Sequence, residues 1–242
     1  MRTMKQFNLL AVLSLLAVAG CSMSRLDGQA VQTPGAAIAG EGPWFDEGVE
    51  AGALSRPITI EGRARPFLHL AHRGDAPVRL AVEYDTEGGW ERREIVELPA
   101  KSWGFHLIED HPPGDRLRVA ALDSLTRATV WLTYVAHAER AGELDPVVQT
   151  VWEAVAVRAG EPSAGFDMLA HETRYLEVAS NPSGEVAIQI DVSGRGDWHS
   201  MGSLISSPNA ARRFNFWAGF NPKRVRLVSA SDATITARLV YE

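Results

Sequence analysis

The chain has 242 residues, 45% of them hydrophobic, with 24 basic against 30 acidic side chains and a formal net charge of −6. That balance argues against nucleic acid and against a polybasic membrane contact, since phosphate backbones and anionic lipids repel an acidic surface. Cys21 is the only cysteine, which excludes an intramolecular disulfide and a thiolate metal site and leaves the folded part to be held by its core.

The first element is a leader. Arg2 and Lys5 precede an apolar run, residues 7–16, that is too short for a bilayer span and has the usual length of a signal-peptide core. It ends in "LAVAGC", and Val18-Ala19-Gly20-Cys21 resembles the lipobox of bacterial lipoproteins. The resemblance implies cleavage before Cys21, a thioether-linked diacylglycerol and usually a third acyl chain, which together anchor a protein stably. By the sorting pattern of that family, Ser22 directs the product to the outer membrane. An ordinary secretory signal with an incidental cysteine is the alternative. Residues 22–43 are rich in Gly, Ala, Ser, Gln and Pro without apolar periodicity, so residues 21–43 read as a lipidated cysteine and a flexible tether.

The remainder is a duplication. Trp44 and Trp152 are 108 positions apart, and so are Val49 and Val157, Gly52 and Gly160, and Ser55 and Ser163 of "VEAGALS" and "VRAGEPS". The same offset matches Phe67 with Tyr175, "VRLAVEY" with "VAIQIDV", Trp90 with Trp198, and Arg116-Leu117-Arg118 with Arg224-Val225-Arg226; near the end it slips to 107, matching Tyr134 with Tyr241. Two domains follow, 44–138 and 148–242, with a linker at 139–147. Within each, "VRLAVEY", "RLRVAAL", "ATVWLTY" and their counterparts alternate apolar and polar, and turn chemistry such as "TEGG", "HPPGD", "NPSG" and "SGRGD" separates them. The expected fold is all-β: two tandem homologous antiparallel β-sandwiches, jelly-roll or immunoglobulin-like. Residues 145–157, "DPVVQTVWEAVAV", carry an Asp-Pro helix start, but their counterpart is not helical and a strand is favoured.

Matched residues serve the fold; private ones can serve something local. Trp90 and Trp198 each follow a glycine-rich turn and are either sugar-ring platforms or core anchors, the latter favoured. Glu83 with Arg118, and Asp191 with Arg226, are expected to form the same cross-strand ion pair in both copies. Trp217, in the private segment "FNFWAGF", is the leading exposed binding aromatic, with Arg212 and Arg213 close in sequence; packing against the first repeat, opposite Trp103 and Trp131, competes with that role. Chemistry is sparse. The histidines at 69, 72, 106, 111, 137, 171 and 199 show no metal spacing, no HExxH, GxSxG or P-loop is present, and neither metal nor cofactor is expected. A calcium-binding hairpin loop through Asp85 and Glu87, or Asp191 and Asp197, is a minor alternative. "RGD" at 195–197 is a three-letter match in a turn and does not by itself indicate integrin binding.

The patterns "W…V.V.AGEPS…F…LE", "I.IDV.G.GDW" and "RVRL…TITARLVY" resemble β-sandwich modules of secreted bacterial proteins, some appended to carbohydrate-active ones. The resemblance implies fold more than ligand, and no family site residues carry over. The function expected is a membrane-anchored, non-catalytic binding or accessory module for glycans. The alternative is a structural or assembly lipoprotein that binds another envelope protein. A hydrolase with two carboxylates in a cleft at the domain junction stands third.

Overall fold

The computed structural model describes residues 38–109, 112–136, 147–171, 173–208, 210–217 and 220–242. The signal peptide, Cys21, the tether as far as residue 37, the linker as far as residue 146, His111 and His137 lie outside them. The described residues contain strands and turns and no helix. The first repeat supplies β1 (Ile38–Val49), β2 (Ile58–Thr59), β3 (Ala64–Ala71), β4 (Val78–Thr86), β5 (Gly89–Leu98), β6 (Trp103–Leu107), β7 (Arg116–Ala121) and β8 (Leu125–Val135). The second supplies β9 (Val147–Val157), β10 (Phe166–Asp167), β11 (Arg174–Asn181), β12 (Gly184–Asp191), β13 (Trp198–Ser206), β14 (Arg212–Phe216), β15 (Arg224–Ser229) and β16 (Ala233–Tyr241). Residues 147–157 are thus a strand.

All pairings are antiparallel. The sheets run β1-β8-β3-β6 and β2-β7-β4-β5 in the first repeat, and β9-β16-β11-β14 and β10-β15-β12-β13 in the second. Adding eight to each strand number of the first repeat gives the second. Eight strands in two four-stranded sheets make each repeat a jelly roll rather than a seven-stranded immunoglobulin sandwich. Leu68 and Leu70 of β3 and Val130 and Leu132 of β8 meet Leu80 and Val82 of β4 and Leu117 and Val119 of β7 in the first core. Leu176, Val178, Ile188, Ile190, Leu227 and Leu239 do the same in the second. Each such buried aliphatic contributes roughly 1.5–3 kcal/mol.

The "VEAGALS" and "VRAGEPS" turns are superposable in their bonding. Gly52 and Gly160 sit at φ 87° and 76°, a region glycine enters without strain, and their amides reach Ala121 O and Ser229 O at 2.8 Å. The Ser55 hydroxyl donates to Arg56 O at 3.0 Å and accepts from the Val119 amide at 2.9 Å; Ser163 does so with Ala164 O and the Leu227 amide at 2.9 and 3.0 Å. Even the β-bulge after each tryptophan is repeated, with Asp46 and Ala154 at φ 54° and 49°.

Two expectations are corrected. Residues 38–43, assigned to the tether, are the first half of β1. Their glycines are required by packing: a Cβ on Gly40 would lie 2.5 Å from the Trp131 indole nitrogen. The second correction concerns register. Val119 pairs with Val82, whereas its counterpart Leu227 pairs with Ile188, so β4 and β12 correspond at 106 rather than 108. The common offset returns in the next strand, where Asp85 pairs with Trp90 and Asp191 with Trp198. The second repeat is therefore two residues shorter before β12 and two residues longer after it.

Candidate functional site

The centre of the outward face of the β1-β8-β3-β6 sheet is not solvated. Phe67 and His69 of β3 and Thr129, Trp131 and Thr133 of β8 are buried although they point away from the first core. One end of the second repeat covers them, through the β12–β13 connection, Trp217 and residues 220–223. That connection is the one lengthened by two residues. Arg195 lies over the rings of Phe45 and Trp131, each 4.7 Å away, and the Asp197 carboxylate accepts from Arg73, from Thr129 at 3.2 Å and from His199 at 2.9 Å. Burial alone would push the Asp197 carboxyl up; hydrogen bonds from His199 and Arg73, with their charges, outweigh it and hold the group well below the usual carboxylate range. His69 is pushed down to about 3, chiefly by burial and partly by the charge of His199. It is a neutral spacer: the Trp103 indole donates to its Nδ1 at 3.3 Å, which leaves Nε2 to donate to Thr133 Oγ1 at 2.9 Å.

The second half of this seam is aromatic. Phe220 packs on Phe67 and Trp103 with ring centroids 5.4 and 5.7 Å apart, and Trp217 packs on Phe105 and Phe220 at 5.8 and 4.8 Å. Arg174, at the start of β11, is buried and holds this segment, donating to Trp217 O at 2.9 Å, Phe220 O at 2.7 Å and the Asn221 side chain at 3.3 Å. Asn221 in turn donates to Arg65 O at 3.0 Å, and Lys223 to Ile38 O at 2.8 Å. Trp217 stays 43% exposed, beside Phe105 at 36% and Leu107 at 54%. Phe105 and Leu107 lie on one face of edge strand β6, so the three form an apolar strip along the seam.

The other residues singled out in the sequence do not join it. Arg212 and Arg213 are exposed at the far end of β14, about 16 and 13 Å along the strand from Trp217, and Arg213 pairs with Glu177 at 2.8 Å and lies over Tyr175. Trp90 and Trp198 are half-buried, each with a guanidinium over its ring: Arg118 at 4.3 Å and Arg226 at 4.4 Å. They are neither core anchors nor open platforms, and the repeated arginines serve to stack on them. The ion pair expected in both copies forms only in the first, Glu83 to Arg118 at 2.8 Å. The shifted register puts Gln189, not Asp191, opposite Arg226, with a hydrogen bond of 2.7 Å. Asp191 instead closes its own turn, accepting from the Gly194 and Gly196 amides at 2.9 and 2.7 Å. With Asp197 committed to the seam and Asp85 paired with Arg116, neither hairpin forms a calcium loop, and no three His, Cys, Asp or Glu among the described residues are placed to hold a metal.

A feature absent from the sequence reading lies next to the strip. Where edge strands β5 and β6 of the first repeat diverge, a cleft of about 620 Å³ opens, lined by Tyr84, Arg93, Glu94, His106, Leu107 and Glu109. Tyr84 Oη and His106 Nε2 are 2.8 Å apart, and His106 Nδ1 bonds the Glu94 carboxylate. Burial pushes the Tyr84 phenol up to about 12, with the charges of Glu109 and Glu94 adding to it. The only signal in the sequence is that His106 matches Phe214, and that match needs a register "FHLIED" does not reveal.

No family model and no curated protein matches the chain. Among solved structures it is similar to the PBSX exported protein XepA, at 15% identity over 85% of both chains and a TM-score of 0.30. It is also similar to a conserved protein of unknown function from Pseudomonas aeruginosa PAO1, at 14% identity over 85% of this chain and 78% of that one, TM-score 0.25. A cupin barrel protein from Leptotrichia buccalis follows at 8% identity over 89% and 94%, TM-score 0.23. Such likenesses include enzymes, an allantoicase among them, and carry no information on ligand or activity.

Proposed function

We propose that the protein is a lipid-anchored, non-catalytic binding or accessory module of the bacterial cell envelope, attached to the outer membrane through Cys21, and that its ligand is a glycan. The observation that carries the reading is the strip of Trp217, Phe105 and Leu107. An indole held from behind by Phe220 and Arg174, with one side in solvent, is a pre-ordered surface for the apolar face of a sugar ring. The described residues of the junction favour packing over chemistry. Phe67, Trp103 and Phe220 pack on one another there, and the buried carboxylate, Asp197, is taken up by Arg73, His199 and Thr129.

The full chain in detergent should therefore bind a polysaccharide in a pull-down, and Trp217→Ala should weaken it about tenfold, one stacked aromatic contributing roughly 1–3 kcal/mol. Equal retention of the variant would refute the site. Labelling with radioactive palmitate in growing cells, lost in Cys21→Ala, tests the anchor. A second reading, an envelope protein as partner, has its own support in β9, an edge strand with Val148 59% and Val155 42% exposed. Such an edge can add a strand from a neighbour. A negative glycan pull-down together with loss of a co-purifying envelope protein in Val148→Lys would favour it.

A further inference from the structure

The duplication provides an internal control for the cleft. In space, Tyr84 corresponds to Ile190, Glu94 to Gly202 and His106 to Phe214, because Leu117 pairs with Tyr84 as Val225 does with Ile190, Val82 with Glu94 as Ile188 does with Gly202, and Leu68 with His106 as Leu176 does with Phe214. The same jelly roll is thus built in the second repeat with two apolar residues and a glycine. A sandwich edge does not need a buried phenol, an imidazole and a carboxylate in series, and burying polar groups there costs free energy relative to the apolar alternative. The first repeat keeps them where the edge opens, with Tyr84 3% and His106 8% exposed and the Glu94 side chain 47% exposed. The imidazole and phenol fix the Glu94 carboxylate at the mouth of the cleft. Glu109 is exposed on the same wall, and Arg93, the one cation among the described lining residues, is bonded to Glu91 at 2.9 Å.

The cleft and the apolar strip share Leu107. Phe105 to Leu107 spans about 7 Å of β6, and the Trp217 ring lies 5.8 Å from the Phe105 ring. The two surfaces therefore fall within the length of a few sugar units.

We propose that the cleft is the polar subsite of the glycan surface, with Tyr84–His106–Glu94 and Glu109 reading a protonated amine, so that the ligand is an amino-sugar polymer with free ammonium groups. This rests on the glycan reading and adds its chemical class. Trp217 and Phe105 take the ring faces of the polymer, and the carboxylates take an ammonium from a neighbouring unit. Uronic-acid polymers are repelled by the same two carboxylates.

The test is calorimetric titration of the full chain in detergent with hexamers of glucosamine, N-acetylglucosamine and galacturonic acid. A charge-assisted hydrogen bond predicts that the glucosamine hexamer binds about tenfold or more tighter than its N-acetylated form. That advantage should vanish in Glu94→Gln and Glu109→Gln, and also in His106→Phe, which copies the second repeat and so retains the fold; an unchanged melting temperature checks the last point. Trp217→Ala should weaken both neutral and cationic hexamers alike. Equal affinity for the two, dependent on Trp217, overturns the amine inference and leaves the glycan reading standing. Binding of no hexamer refutes both. Binding of a lysine-rich peptide but no hexamer, with the same glutamate dependence, overturns the saccharide class.

Discussion

Ser55 and Ser163 show how much one hydroxyl does in this fold. Each donates to the next carbonyl and accepts the amide of the facing strand, β7 or β15, so it closes the turn and joins it to the sheet with one atom. Alanine at either position leaves a buried amide without its acceptor, at about 1–3 kcal/mol. Ser55→Ala and Ser163→Ala should therefore destabilise by similar amounts, and urea unfolding of the two variants checks the equality. Trp217 is a second instructive residue. It was legible as a private aromatic, yet the arginines beside it in sequence are carried away by the 3.3 Å rise per residue of β14. Trp90 and Trp198 were legible as a matched pair, but not as the floor of an arginine stack. Neighbourhood along the chain says little about neighbourhood in a sheet, whose contacts run across strands.

Among elements, the β12–β13 connection stands out. It is two residues longer than β4–β5, and Arg195 and Asp197 within it grip the first repeat. Excising Arg195 and Gly196 would restore the shorter length. The expected outcome is loss of the Arg195 stack and of the Asp197 bonds, a fall in stability of about 2 kcal/mol, and a red-shifted tryptophan emission as Trp131 meets water. An unshifted spectrum would mean that the connection does not hold the seam. The same element hides the true register from the sequence. Side chains in a strand alternate with period two, so a shift of two residues largely preserves the apolar pattern, and "VRLAVEY" matches "VAIQIDV" at 108 at least as well as "GEVAIQI" at 106. The deletion before β12 and the insertion after it cancel, which leaves no trace downstream. The start of β1 was hidden differently: Gly40 reads as tether composition but is there because Trp131 lies against it. Strand content, the repeat and the serine turns were legible because each leaves a local pattern. The Tyr84–His106–Glu94 cleft was not, because it depends on three strands meeting.

At the scale of the whole molecule, buried histidines couple stability to pH. His69 and His171 both have their proton affinity lowered on folding, in each case mainly by burial. The unfolded chain therefore binds more protons, and the stabilisation, complete above the ordinary histidine value of 6.5, is lost as pH falls; for His69 the loss continues to about 3. Each such proton contributes about 1.4 kcal/mol per pH unit. Urea unfolding between pH 6.5 and 4.5 should show this slope, and His69→Gln should flatten it by about one proton; Asp197, held below its ordinary range, adds a further loss only below about pH 4. The seam has a consequence for growth as well. It joins the end of one repeat to the face of another, a head-to-tail contact of the kind that extends into fibres when nothing stops it. The equivalent face of the second repeat has Glu177 where the first has His69, Arg213 where it has Phe105 and Arg238 where it has Trp131; its ions are paired and both arginines are exposed. The equivalent end of the first repeat has a β4–β5 connection two residues shorter, without the added residues that carry the grip. Divergence after duplication has thus changed both surfaces, so a further copy docked in the same way would meet neither the apolar face nor the longer connection that make this seam.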